Sequence, residues 1–430
     1  MPKKIAIIGA GFSGTMVLRQ LLNLGFRGCI DVFQQDETMA QGPAYSDPNP
    51  HLLLNVRSAN MSAFPDDKQH FLHYLEKHFP DQANPNSFCP RYIYGHYIKE
   101  VWHETMRLAK DAGMTIAIHP VFHSEKSDHT HLVLATGNEL PRIPKGISNK
   151  VKKSPLFQAN PWKHHFPIPP SNEPIFILGN GLTMVDTVLK LRRSGAKQQI
   201  VALSRHGYHM LSHPSDSKTS MTNDIPNFTR LNELLPYFNS KRKEVSLDEF
   251  LRWIDTCRPY LAQWWQGFTA QEKRFFLQHL RHLWGTVRHR IPAEIAKKIQ
   301  EEESQGGLSI LAGRLLDANM EGDSLTIRYT SNGQEHQLSC SLFINCTGPE
   351  TSIEQMTNPS IQDFLQKQWI QADAVQQGIL IDPTRHLACG ISNRAIYPIG
   401  NLCKGTFWES TAIGELRSQA IVIAKDIIEH

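Results

Sequence analysis

Apolar and polar positions change period several times along the chain, and each change predicts an element. The segment from Lys4 to Ile8 reads as a short strand, TMVLRQLLNLGF repeats apolar residues at helical spacing, and IDVF returns as a second strand. The same order recurs at PIFIL, the helix completed by VLKLRRSGA, and QIVALSRHG. HLVLATGNELPRIP is a strand with a small-residue turn and a proline-rich exit, and LFINCTGPE at 342–350 repeats that grammar.

Between residues 308 and 345, SILAGRLL, SLTIRYTS, HQLSC and LFIN predict short strands joined by turns such as Asn332-Gly333, a β meander. Residues 226–304 have a different texture, with aromatic-rich helical patterns that predict an inserted helical subdomain. Its Trp253, Trp264, Trp265, Phe275, Phe276 and Trp284 fit a packed core, with a substrate-cavity wall as the other use of such a stripe. The last segment, AIYPIGNLCKGTFWESTAIGELRSQAIVIAKDI, predicts a strand, a glycine turn and a long amphipathic helix.

The turns between strand and helix carry the chemistry. Gly9, Gly11 and Gly14 complete GxGxxG, in which glycines allow a tight turn, close approach of backbone to a pyrophosphate, and close packing of helix on strand. Amides at the helix N-terminus then hold the phosphates. At the end of the following strand, where an acidic residue commonly binds ribose hydroxyls, stands Gln34, so an uncharged amide is expected there, with Gln35 or Asp36 sharing the role. In the second unit Gly179 and Gly181 keep the first two glycines and Met184 replaces the third. That unit ends on Ser204, Arg205 and His206; an arginine there pairs with a 2′-phosphate, which favours NADPH over NADH, whereas a solvated surface arginine is the plain alternative. The fold class expected is α/β, with two Rossmann-like dinucleotide-binding domains and a helical insertion.

Composition narrows the partners. A chain of 430 residues exceeds one core, 40% hydrophobic and 20% charged residues are ordinary for a globular protein, and a net charge of +4 gives no reason to expect nucleic acid. The apolar runs fall short of the roughly 20 residues that span a bilayer, so neither anchor nor membrane partner is expected. Seven cysteines without a CxxC pair fit reduced thiols in a cytoplasm and disfavour a dithiol reductase. His279, His282 and His289 share a helical face but lack a ligand set of recognisable spacing, so no metal is expected. Arg281, Arg288 and Arg290 beside Trp284 suit a phosphate or anionic substrate, or a solvated face. The chain has no GxSxG elbow and no GKS or GKT loop.

Taken together, IAIIGAGFSG, GPAYSDPNPHLLLNVRSANMSAFPDD, PRYIYGHYI, GNGLTMVD, SRHG, WGTVRHR, NCTGP and GTFWESTAIGELRSQA resemble the two-dinucleotide-domain flavoproteins of the FAD/NAD(P)-binding protein family. That group includes FAD-dependent urate hydroxylases and is more distantly similar to N-hydroxylating and flavin-containing monooxygenases. The resemblance implies a discontinuous FAD domain from residues 1–150 and 347–430, and an NAD(P) domain at 151–346 that contains the insertion at about 226–304. It implies FAD on Gly9, Gly11, Phe12, Ser13 and Gly14, the nicotinamide cofactor on Gly179, Gly181 and Thr183, and Gly400 and Asn401 near the ribityl chain. A helix beginning near Thr411 would aim its N-terminus at the flavin, where it favours negative charge on the reduced ring.

The activity implied is oxidation of a small organic substrate with molecular oxygen, the flavin being reduced by NADPH or NADH and acting as a C4a-hydroperoxide. Asn55 is the candidate for positioning the oxygenated flavin, with His51 and Arg57 as neighbouring alternatives. Two other readings fit the same residues. One is a reductase that passes electrons to a quinone or protein; the other is a non-catalytic redox sensor, to which Gln34, Met184 and Asn401 point as departures from common patterns.

Overall fold

The computed structural model describes residues 3–35, 39–214, 225–322 and 324–430. Its first strand, β1 (Ile5–Ile8), consists of four buried aliphatic residues, as expected of a strand covered on both faces. The chain turns through Gly9, Ala10 and Gly11 into α1 (Phe12–Asn23) and crosses to β2 (Cys29–Phe33). The short α2 (Gly42–Tyr45), then α3 (His70–His78) and the long α4 (Arg91–Asp111) precede β3 (Thr115–His119) and β4 (His131–Leu134). Ile5 pairs in parallel with Ile30 on one side and with His131 on the other. Parallel pairing demands crossover connections, which α1 and α4 supply by burying their apolar faces on the sheet.

A second unit begins after α5 (Asn149–Lys153) and β5 (Phe157–Gln158), with β6 (Ile175–Leu178), α6 (Leu182–Arg193) and β7 (Ile200–Ser204). Among the described residues, the helices that follow are α7 (Leu231–Glu244), α8 (Leu247–Thr256), α9 (Leu261–Gly267), α10 (Ala270–Phe275) and α11 (Arg281–Arg288). Ser246 and Glu249 close a capping box on α8, and Thr269 and Glu272 close one on α10. These helices enclose an aromatic core in which Trp253, Trp264, Trp265 and Phe276 are buried, while Phe275 turns out to solvent. Packing against one another, not against a cavity, explains most of that stripe.

Helix α12 (Ala293–Ser304) leads to β8 (Leu308–Glu321), β9 (Ser324–Ser331), β10 (Gln334–Cys340) and β11 (Leu342–Asn345). SILAGRLL is not an independent short strand: β8 is 14 residues long, parallel to β7 over Leu308–Ala312 and antiparallel to β9 from Gly313 onward. A bulge between Leu315 and Asp317 takes up the irregularity. Asn332 and Gly333 have φ of 51° and 77°, the paired positive values that close a tight β9–β10 hairpin.

The chain ends with α13 (Pro359–Gln366), a small hairpin of β12 (Ile381–Asp382) and β13 (Leu387–Ala388), β14 (Ala395–Pro398) and α14 (Ile413–Glu429). Strand β14 returns to the first unit, giving a parallel sheet ordered β14-β4-β1-β2-β3. The other sheet runs β10-β9-β8-β7-β6-β11-β5. Among the described residues no helix is long and apolar enough to cross a membrane.

Candidate functional site

A cavity of about 580 Å³ opens at the carboxyl end of the first sheet, where ligands of open α/β folds are held. Gly9, Gly11, Phe12 and Ser13 form one wall, Gln34 and Gln35 a second, and Gly400, Asn401 and Thr411 a third. Gly9 has φ of 103°, and a Cβ there would overlap the Ala135 carbonyl oxygen; only glycine fits. Gly11 precedes α1 without a side-chain cap, so the first-turn amides are left to a ligand. Gly14 lies off the cavity, and a Cβ on it would collide with the Gly9 carbonyl, so its role is close packing of helix on turn.

Gln34 does more than face the cavity. Its Oε1 accepts the Ala10 N–H at 2.7 Å, so the amide braces the glycine turn. Asp36, the other candidate at that strand end, lies outside the described residues. Asn401 is 3% exposed, and its Nδ2 is buried without a hydrogen-bond partner. An unpaired buried donor costs about 1–3 kcal/mol, so a donor placed in a cavity wall fits a ligand acceptor. Gly400 N–H donates to Gln419 Oε1 at 2.8 Å, which pins this turn to α14. A turn that admits only glycine, uncapped amides and an orphaned amide donor all suit a phosphate-bearing, polyhydroxylated dinucleotide such as FAD.

The second unit repeats this geometry. Gly9 N–H donates to Phe33 O at 2.8 Å and Gly179 N–H to Leu203 O at 2.8 Å; Ala135 N–H meets Ile8 O at 2.8 Å, and Cys346 N–H meets Leu178 O at 2.8 Å. Gly179 has φ of 107°, and a Cβ there would overlap the Cys346 carbonyl oxygen. Gly11 and Gly181 share a backbone conformation too, with ψ of −165° at both. Met184 is packed into the apolar core of this unit where the first unit has Gly14. Thr183 reaches the cavity, whereas Gly179, Gly181 and Arg205 do not line it.

Arg205 follows β7, and burial beside Arg314 lowers its pKa below the usual arginine value. It touches the His282 ring, and no carboxylate pairs with it among the described residues. His282 thus faces Arg205 while His289 faces Glu409, so the histidines of that helix diverge towards different partners.

Four charged side chains join the units across the cavity. Arg91 Nη1 lies 2.8 Å from Asp186 Oδ2, and Lys190 Nζ lies 2.8 Å from Asp47 Oδ2. All four line the cavity. Lys190 donates to the Lys163 carbonyl at 3.0 Å, so its approach to Asp47 is a charge contact without a hydrogen bond to Oδ2. Burial raises the Asp186 carboxyl above the ordinary aspartate range, against the pull of Arg91 and Lys190. Sequence reasoning missed these pairs because no local spacing links α2 and α4 to α6.

Asn55, His51 and Arg57 stand elsewhere. None lines the cavity, which Leu52 enters instead. The Asn55 carbonyl accepts from His213, a ring that burial drives to a pKa of about 4 and so keeps neutral. His51 is exposed beside a separate hollow near Arg193. Arg57 donates to the carbonyls of Asn86 and Pro214 and lies over the Phe88 ring, a structural set of partners.

Residues 6–142 match the family described as FAD-NAD(P)-binding. A flavin-containing monooxygenase of Aspergillus flavus is 23% identical over 203 residues, which is 43% of this chain and 49% of the relative, so the match spans about half of that protein. The reduced form of ornithine hydroxylase from Pseudomonas aeruginosa superposes with a TM-score of 0.66 at 13% identity, covering 100% of both chains. A bacillithiol disulfide reductase of Staphylococcus aureus gives a TM-score of 0.56 at 12% identity, covering 100% of this chain and 99% of that one. The chain therefore has the fold of these flavoproteins, and its match to the FAD-NAD(P)-binding family lies in the first unit, over residues 6–142.

Proposed function

We propose that the protein is an FAD-dependent monooxygenase that draws electrons from NAD(P)H and oxidises a small organic substrate. The observation that carries this reading is one cavity walled by the first glycine turn, by the Asn401 turn and by Thr183 of the second unit, which supports a flavin site open towards the second unit. We assign FAD to residues 1–150 and 347–430 and the nicotinamide cofactor to residues 151–346. When bound, FAD supplies hydride acceptance and oxygen activation, so that NAD(P)H, a proton, O₂ and substrate yield NAD(P)⁺, water and the oxygenated product.

The chain's own part is binding and orientation. The uncapped first-turn amides at Phe12 and Ser13 would hold the pyrophosphate, Asn401 Nδ2 would donate to the flavin side chain, and the α14 N-terminus near Thr411 would favour negative charge on the ring. Gly179, Gly181 and Thr183 would hold the second dinucleotide, and Arg205 would pair with a 2′-phosphate, which favours NADPH. The Arg91–Asp186 and Lys190–Asp47 contacts hold the two sites in register. Seven free thiols suit a reducing cytoplasm.

The test is anaerobic addition of NADPH, then NADH, to the FAD-loaded protein, followed by oxygen uptake with candidate substrates. Bleaching of the oxidised-flavin absorption band and substrate-dependent oxygen uptake are expected. Bleaching without such uptake would favour a reductase, and the absence of bleaching would remove the oxidoreductase reading.

A further inference from the structure

The end of β7 is tied to the second glycine turn. Gly179 N–H donates to Leu203 O at 2.8 Å, and Asn180, between the two glycines, donates from Nδ2 to Tyr208 O at 2.5 Å. The Gly207 N–H donates to Ser204 Oγ at 3.0 Å, which sets the bend that carries Arg205. An exposed arginine is thus held on a turn fixed beside residues 179–181.

The helical insertion meets this turn through His282 of α11, which is half-buried. The Arg205 guanidinium contacts His282 Nε2 through Nη2; the His206 ring lies 5.3 Å from the His282 ring and stacks on Tyr208 at 5.1 Å with the planes 11° apart. A guanidinium has donors only, so the imidazole is the acceptor and its Nε2 carries the lone pair. Burial, with Arg205 adding to it, drives the His282 pKa to about 4, so near neutral pH the ring is uncharged and able to accept.

Other arginines of the fold are held by carboxylates. Arg192 Nε lies 2.8 Å from Glu302 Oε2, Arg230 Nε 2.9 Å from Glu272 Oε1, and Arg258 donates to both oxygens of Glu415 at 2.7 and 2.5 Å. A carboxylate fixes a guanidinium but cancels its charge, whereas a neutral imidazole fixes it and leaves the charge intact for a ligand anion. Among the described residues no carboxylate pairs with Arg205 or His282.

We propose that His282 is a positioning residue for cofactor selectivity: it holds the Arg205 guanidinium ready for a 2′-phosphate without neutralising it, so that the helical insertion takes part in choosing NADPH over NADH. This rests on the assignment of Arg205 to a 2′-phosphate. A long side chain loses rotamer freedom when it binds, and one already tethered loses less, so the tether acts on the phosphorylated cofactor alone.

The experiment measures the dissociation constants of NADP⁺ and NAD⁺ by calorimetry on the FAD-loaded full chain and reads their ratio. The parent should prefer NADP⁺, and Arg205→Leu should lower that preference about tenfold or more, as loss of a charge-assisted contact does. His282→Leu should lower it about three- to tenfold through NADP⁺ alone, with NAD⁺ affinity unchanged. His282→Gln, whose amide oxygen accepts from a guanidinium, should recover most of the preference; His282→Glu should lose it as Arg205→Leu does, because the carboxylate cancels the charge. Thermal melts identify a His282→Leu protein that folds poorly, and the contrast between the Gln and Glu variants then decides. The proposal is overturned if His282→Leu keeps the ratio of the parent, if it weakens both nucleotides alike, or if His282→Glu prefers NADP⁺ as strongly as His282→Gln. Loss of preference in Arg205→Leu with none in His282→Leu removes the tether and keeps the cofactor assignment, whereas a parent without preference for NADP⁺ removes both.

Discussion

Lys190 of α6 and Asp47, just beyond α2, place their charges 2.8 Å apart in a nearly buried contact between the two dinucleotide units. Each is less than a tenth exposed, and Arg91 and Asp186 stand beside them as a second pair. Such pairs add little net stability when intact, but breaking one leaves an uncompensated charge in low dielectric.

Lys190→Met should therefore destabilise the protein by about 3–5 kcal/mol. Asp47→Asn combined with Lys190→Met should cost less than the sum of the single changes, because the orphaned charge is gone. Urea melts of the four proteins check this; strict additivity would show that the contact carries no energy.

Asn401→Leu separates binding from folding. Removing the unpaired Nδ2 donor should leave the apoprotein as stable or slightly more so, while FAD affinity falls by about 1–3 kcal/mol. Apoprotein melts and FAD titration by flavin fluorescence give the two numbers, and a loss of apoprotein stability would instead make Asn401 a structural hydrogen bonder.

The two glycine turns should fail separately. Gly9→Ala places a Cβ on the Ala135 carbonyl and should abolish FAD retention, whereas Gly179→Ala, which meets the Cys346 carbonyl, should leave FAD bound but prevent its bleaching by NADPH. Spectra of the purified variants before and after anaerobic NADPH read both outcomes.

Acid should weaken the helical insertion through Glu272. Its carboxylate accepts from the Thr269 and Leu231 amides and from Arg230, and these bonds outweigh its desolvation, holding its pKa at about 2. A folded value below the unfolded one means that the contribution is complete above about pH 4.5 and is lost as pH falls towards 2. Glu272→Gln should cost about 1 kcal/mol at neutral pH, as loss of a cap does, and the two stability curves should converge in acid. Parallel curves down to pH 2 would contradict this.

Much of the fold was legible because its signals are local. A positive-φ glycine between a buried strand and an amphipathic helix is written in a few consecutive residues, so both turns, the Asn332-Gly333 hairpin and the closing helix could be read directly. β8 is longer than its local pattern predicts, since nothing local announces that one strand leaves a parallel neighbour for an antiparallel one. Local sequence does not say which residue of LLLNV faces the cavity; the fold turns Leu52 to it and gives the Asn55 carbonyl to His213.

What the sequence determined by itself was the pair of dinucleotide turns and the α/β class, because backbone sterics and hydrophobic period act over a few residues. Only the tertiary structure decided which carbonyl sits over each glycine, that Lys190 meets Asp47, and that Trp284 of the helical insertion meets Glu409. Those relationships join residues far apart in the chain, and their energies arise from burial and charge proximity that exist only after the sheets and the insertion have packed.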